Sequence, residues 1–173
     1  MRVVKAAAVQ ISPVLYSRDG TVEIVVRKIH ELGEHGVQFA TFPETVVPYY
    51  PYFAFIQTPY QIITGGEHVK LLEQAVTVPS AATDAISDVC RQAGVVVSIG
   101  INERDHGTLY NTQLLFDADG ALLQRRCKIS PTYHERMIWD RAMARACARW
   151  KARSDGLGNW RVGSPTTLWR GTR

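Results

Sequence analysis

The chain is expected to fold as an α/β layered domain, because short apolar runs alternate with segments of helical period and turn residues separate the two. Its 173 residues, 46% hydrophobic and 21% charged, suffice to bury one core. Val3 to Gln10 is a compact apolar run closed by Ser12-Pro13, which reads as a strand buried in a sheet. From Val22 the apolar residues Val25, Val26, Ile29 and Leu32 follow at helical spacing, with Thr21 as N-cap and Gly33 or Gly36 as terminator. Val37 to Phe42 is a second buried strand, and the Pro43-Glu44 behind it puts a carboxylate just past its carboxyl end. That is where open α/β sheets build their sites.

Between Pro48 and Pro59 the chain is crowded with Tyr49, Tyr50, Tyr52, Phe53 and Phe55, and with prolines that disfavour a regular helix. This segment reads as a structured loop, a candidate pocket wall. Ala85, Ile86, Val89, Cys90 and Ala93 form one face of another helix ended by Gly94, and Val95 to Ile101 supplies the third strand. Cys90 is thereby assigned to the core. Thr112 to Phe116 and Ala121 to Arg125 flank Asp117-Ala118-Asp119-Gly120, a turn sequence that predicts a β-hairpin running toward Lys128.

The formal charge of +4 is not spread evenly. Residues 1–139 carry 12 Lys and Arg against 14 Asp and Glu, whereas residues 140–173 carry 8 against 2. The strand and helix grammar stops at the same place, and three of the four tryptophans lie beyond it. Two regions follow: a domain over 1–139 and a basic tail over 140–173. The domain's own charge is slightly negative, which argues against nucleic acid as a partner. No apolar run approaches the roughly 20 residues that span a bilayer, and the amino terminus has no secretory h-region, so a cytoplasmic protein is expected. Cys90, Cys127 and Cys147 fit neither a paired disulfide framework nor a Cys-x-x-Cys metal site. His134 and Glu135 are adjacent rather than a helical turn apart, unlike a zinc hydrolase motif, so no metal is expected.

Singly, Glu44 and Lys128 would pass for surface charges. Together, Phe42-Pro43-Glu44-Thr45 followed downstream by Arg126-Cys127-Lys128-Ile129 and Pro131-Thr132-Tyr133-His134-Glu135-Arg136 resembles the nitrilase family of carbon–nitrogen hydrolases. Ala8-Val9-Gln10, Asn102-Glu103-Arg104 and Leu109-Tyr110-Asn111-Thr112 extend the resemblance over residues 3–139, and Tyr133-His134-Glu135-Arg136 is similar to the bacterial nitrilases proper more than to the amidase branch. The resemblance implies the amino-terminal half of an α-β-β-α sandwich and a Glu-Lys-Cys triad carried onto Glu44 and Lys128, with Glu135 matching a second carboxylate. It implies no cofactor, a small-molecule nitrile as substrate, and a homo-oligomer for the intact family member.

The family's Cys-Trp-Glu nucleophile motif is missing, and Cys147 lies in an Ala/Arg stretch unlike it. Cys127 precedes Lys128 and is expected on the opposite face of its strand. If the tail is back-translated and read one base earlier, Trp139 with Asp140 must give Gly, Met143 with Ala144 Gly, and Trp150 with Lys151 Glu. Allowed codons let Trp160 through Ser164 read Ala-Cys-Trp-Glu. A frameshift near Trp139 is therefore the reading of the tail, and an inactive, aggregation-prone polypeptide the expected product. Three alternatives stand beside it: a real basic tail that binds nucleic acid or an anionic surface, a non-catalytic fragment that pairs with intact family members, and an amidase-branch parent.

Overall fold

A computed structural model describes residues 3–142. Its order is β1 (Ala6–Ala8), α1 (Arg18–Glu34), β2 (Phe39–Thr41), α2 (Phe53–Ile56), α3 (Pro59–Gly65), α4 (Glu67–Gln74), α5 (Ala81–Ala93), β3 (Val96–Asp105), β4 (Thr108–Phe116), β5 (Leu122–Cys127) and a final 3-10 turn, Tyr133–Met137. The strands form one mixed sheet in the order β1-β2-β3-β4-β5. β1, β2 and β3 are mutually parallel, and β3-β4 and β4-β5 are antiparallel hairpins. Cys147 and the proposed nucleophile region fall outside the described residues.

Side-chain alternation divides the sheet into two faces. Ala40, Phe42, Val97, Ile99, Ile101, Leu114 and Phe116 point to one of them and pack against Val22, Val25 and Ile29 of α1 and Ile86, Val89 and Cys90 of α5. On the other face Ala6, Ala8 and Thr41 are exposed. The expected burial of the first strand is therefore corrected to burial on one side only: Ala7 and Val9 reach the core, and no described residue covers their neighbours. One helical layer on one sheet is what the half-sandwich expectation requires.

Two further corrections are local. The first helix begins a turn earlier than expected, capped by Ser17, whose hydroxyl accepts from the Gly20 amide at 3.1 Å. Thr21 is instead fully buried and donates its hydroxyl to the Pro48 carbonyl at 3.0 Å, tying α1 to the segment behind Glu44. The aromatic segment is not purely loop either. Its prolines precede helical turns rather than interrupt them: Pro51 lies ahead of α2, and Pro59 is the first residue of α3 behind the N-cap Thr58. The second helix of the core ends as expected at Gly94, whose φ of 66° gives the left-handed cap, and the Asp117–Gly120 hairpin forms. A second apolar cluster, Tyr49, Ala54, Leu71, Ala75, Leu109, Ile138 and Trp139, joins α2 and α4 to the end of the sheet where the polar residues gather. Among the described residues no helix is long and apolar enough to cross a membrane.

Candidate active site

Three segments bring the sequence-nominated residues together. Glu44 lies three residues past the end of β2. Lys128 follows β5, and its amide donates to the Asn111 carbonyl at 2.7 Å, continuing the β4-β5 ladder by one residue. Alternation places Lys128 and Asn111 on the sheet face opposite α1 and α5. Glu135 sits in the 3-10 turn, where its carboxylate accepts from the Thr132 amide at 2.5 Å, the local pattern of a Thr-x-x-Glu cap.

The Lys128 ammonium lies between the two carboxylates. Nζ donates to Glu44 Oε1 at 2.9 Å and to Glu135 Oε1 and Oε2, both at 2.9 Å. Asn111 Nδ2 donates to the same Glu44 Oε1 at 2.6 Å. Tyr50, from the aromatic segment, donates its hydroxyl to Glu135 Oε1 at 3.0 Å. The Glu135 side chain is 7% exposed and the Lys128 side chain 17%, whereas that of Glu44 is 41% exposed, so the cluster opens to solvent at Glu44.

These contacts fix the charges. Burial alone would weaken the Lys128 ammonium, but the hydrogen bonds and charges of Glu135 and Glu44 outweigh it and hold the lysine above its ordinary range. Burial would likewise favour a neutral Glu135. Donation from Lys128, the Thr132 amide and Tyr50 overrides that and keeps it an anion below the usual carboxylate range. Burial, with the hydrogen bond to Glu135 second, raises the Tyr50 phenol, so it stays protonated and donates to Glu135. The result is a positioned cation between two carboxylates, one of them accessible.

Gly100 of β3 lets the Glu44 segment approach. A Cβ there would stand 2.3 Å from the Thr45 amide nitrogen, 2.7 Å from the Pro43 carbonyl and 2.8 Å from Glu44 Cα. All three are backbone atoms, so the segment itself would have to shift. Gly100→Ala is expected to destabilise the chain by about 2–3 kcal/mol, read as a lowered urea midpoint at unchanged m-value. A shift under half that size would show that the segment moves freely.

Sequence reasoning nominated Glu44, Lys128 and Glu135 and placed Tyr50 in a candidate pocket wall, but gave Asn111 and Asn102 no part in the site. Both asparagines lie within segments that carry the family resemblance, and for Asn111 its position opposite the hairpin strand that leads to Lys128 was the available signal. Cys90 and Cys127 are placed as expected. Cys127 lies on the other sheet face, 3.2 Å from the Thr112 hydroxyl, and burial raises its thiol. Cys90 is completely buried, its thiol pushed up to about 12 by that burial. Neither should be alkylated by iodoacetamide at neutral pH in the folded chain; prompt labelling of either would contradict this packing. Among the described residues no group of three or more His, Cys, Asp or Glu side chains is placed to hold a metal ion.

Nitrilase 3, from an unidentified prokaryote, is 75% identical over 139 residues, 80% of this chain and 42% of the relative. A nitrilase of Paraburkholderia phymatum is 48% identical over 167 residues, 95% of this chain and 48% of the relative. The chain thus spans about half the length of the curated relatives it matches. Among solved structures, Saccharomyces cerevisiae Nit3, a member of branch 10 of the nitrilase superfamily, superposes with a TM-score of 0.61 at 17% identity, covering 81% of this chain and 49% of that one. A Nesterenkonia sp. AN1 amidase, one of whose structures shows acrylamide added at the active site cysteine, superposes with a TM-score of 0.58 at 14% identity, over 81% of this chain and 50% of that one. These two share the fold. The carbon-nitrogen hydrolase profile matches residues 5–165, and the chain belongs to that family.

Proposed function

We propose that the chain derives from a nitrilase, an enzyme that hydrolyses a nitrile to a carboxylic acid and ammonia, and that it is inactive as written because the nucleophile is missing. The observation that carries the reading is the Lys128 ammonium held 2.9 Å from both Glu44 and Glu135. The nitrile assignment is supported by the relatives at 75% and 48% identity, both named nitrilases.

A nitrile carbon is a weak electrophile, and a thiolate is the side-chain nucleophile suited to it. Glu44 is the base that would make one. Its Oε1 already accepts from Asn111 and Lys128, which leaves Oε2 to take the thiol proton as the S–H bond breaks. Attack then places charge on the substrate nitrogen. Once Glu44 is protonated it holds Lys128 less strongly, and an Nζ–H can turn to that nitrogen. Glu135 keeps the ammonium in place meanwhile. The thiol proton then passes from Glu44 to that nitrogen, which gives a covalent thioimidate and returns Glu44 to its basic form. Water, deprotonated by Glu44, converts it to a thioester with loss of ammonia, and a second water releases the acid.

The nucleophile falls to the tail. Cys90 and Cys127 are buried with raised thiols and do not serve. In this reading residues 140–173 are out of frame with the family's glycine-rich and Cys-Trp-Glu segments. The deciding experiment is nitrile-dependent ammonia release from the chain as written beside a chain with the frame restored after Trp139. Genomic sequence across the codons for Ile138 to Arg141 is the companion check.

A further inference from the structure

Asn102 lies on β3 two residues beyond Gly100, on the same sheet face, and is completely buried. Its side-chain amide donates to the Tyr49 carbonyl at 2.8 Å and to the Thr45 carbonyl at 3.4 Å. Its side-chain oxygen accepts the indole N–H of Trp139 at 2.8 Å. The first two partners belong to the segment that leaves Glu44. The third is four residues past Glu135, and the Trp139 amide donates to the Glu135 carbonyl at 2.8 Å. The backbone of Asn102 is equally committed: its amide donates to Val47 at 2.7 Å, and its carbonyl accepts from Val76 at 2.8 Å.

We propose that Asn102 is a positioning residue that couples the two carboxylates, holding the Glu44 segment and the Glu135 turn at the separation from which both reach Lys128 Nζ. The residue type follows from the contacts, because only a primary amide offers donors and an acceptor from one short side chain. Leu would fill the same space and make none of the three bonds. Asp would keep the acceptor for Trp139 and lose the donors to Tyr49 and Thr45. Tyr49 and Trp139 are themselves in the second apolar cluster, so each lost bond leaves a desolvated partner. The clip therefore stays closed without help from solvent. Gly100 and Asn102 together make β3 a platform: the first lets the Glu44 segment approach, and the second fastens it.

This inference rests on reading Glu44, Lys128 and Glu135 as one functional group, but its test needs no turnover. The full chain as written is treated with sulfo-N-hydroxysuccinimidyl acetate near pH 9, and acetylation of each lysine is followed by mass spectrometry. In the parent, Lys128 is held as an ammonium by both carboxylates and should lag Lys5, Lys28 and Lys70. In Asn102→Leu it should acetylate about tenfold faster. Trp139→Phe cuts only the Glu135 arm and should give a smaller increase. Cys90 alkylation serves as the control, since Cys90 lies in the helix-side core and reports general opening. The proposal is overturned if Lys128 stays protected in a folded Asn102→Leu, or if Lys128 and Cys90 become reactive together. Should Asn102→Leu fail to fold, unchanged Lys128 protection in Trp139→Phe overturns it equally. A frame-restored chain that fails in a nitrile assay while Lys128 responds as described would remove the nitrilase reading and leave the coupling intact.

Discussion

Lys128→Met is expected to lower the chain's stability by about 3 kcal/mol at neutral pH, because it leaves two carboxylates facing one another with no cation between them. Breaking a buried ion pair by removing one partner costs roughly 3–5 kcal/mol. The low end applies here, since Glu44 is open to water and can rehydrate. The pH dependence is the sharper part of the expectation. Glu135 has its pKa lowered from 4.5, so its contribution is present above that value and is lost as pH falls through the lower folded value. Lys128 has its pKa raised from 10.5, so its contribution is present below that value and is lost as pH rises through the higher folded one. The parent should therefore exceed the variant by its full margin between roughly pH 5 and 10, with the two converging on either side. Urea denaturation at several pH values measures this. A margin that stayed constant into acid would mean that Lys128 contributes packing rather than charge.

Much of this arrangement was legible in the sequence because its elements are locally encoded. The α5 helix has an apolar face and a Gly94 stop, and the β4-β5 hairpin carries its turn in Asp117–Gly120. A carboxylate behind an apolar strand made Glu44 a candidate, and the ordered set of motifs set it apart from a surface charge. Lys128 and Glu135 were legible only as parts of an ordered set of motifs, since neither has a local signal that separates it from a surface charge. What escaped is what depends on distant partners. Thr21 looked like a cap because its role is set by the Pro48 carbonyl, 27 residues away. Asn102 and Trp139 are 37 residues apart and carry no shared pattern. The short helices α2 and α3 were obscured by prolines, which end a helix from within but begin one at its first turn. The open face of β1 could not be read from Val3 to Gln10 either, because an apolar run states that a strand can be buried and not how many layers bury it.

Restoring the frame after Trp139 should convert a chain with no nitrile-dependent ammonia release into one that turns over, and Glu44→Gln in the restored chain should then lose about 10²- to 10⁴-fold in kcat/KM, the range for a removed general base. The pair of measurements separates two ideas. Activity on restoration tests whether the missing nucleophile lies in the shifted frame, while the Glu44 variant tests whether the carboxylate beside Lys128 does the proton transfer. Gln is the informative substitution because it keeps an oxygen that can accept from Asn111 and Lys128, so the hydrogen bonds that position the group survive and only proton acceptance is removed. An active Glu44→Gln chain would leave Glu135 as the carboxylate to examine, although its bonds from Lys128, Tyr50 and Thr132 make it the better anchor and the poorer base. If the chain as written is itself active, the tail supplies a nucleophile in its present frame. The buried, raised thiols of Cys90 and Cys127 would then point to Cys147 as the residue to replace first.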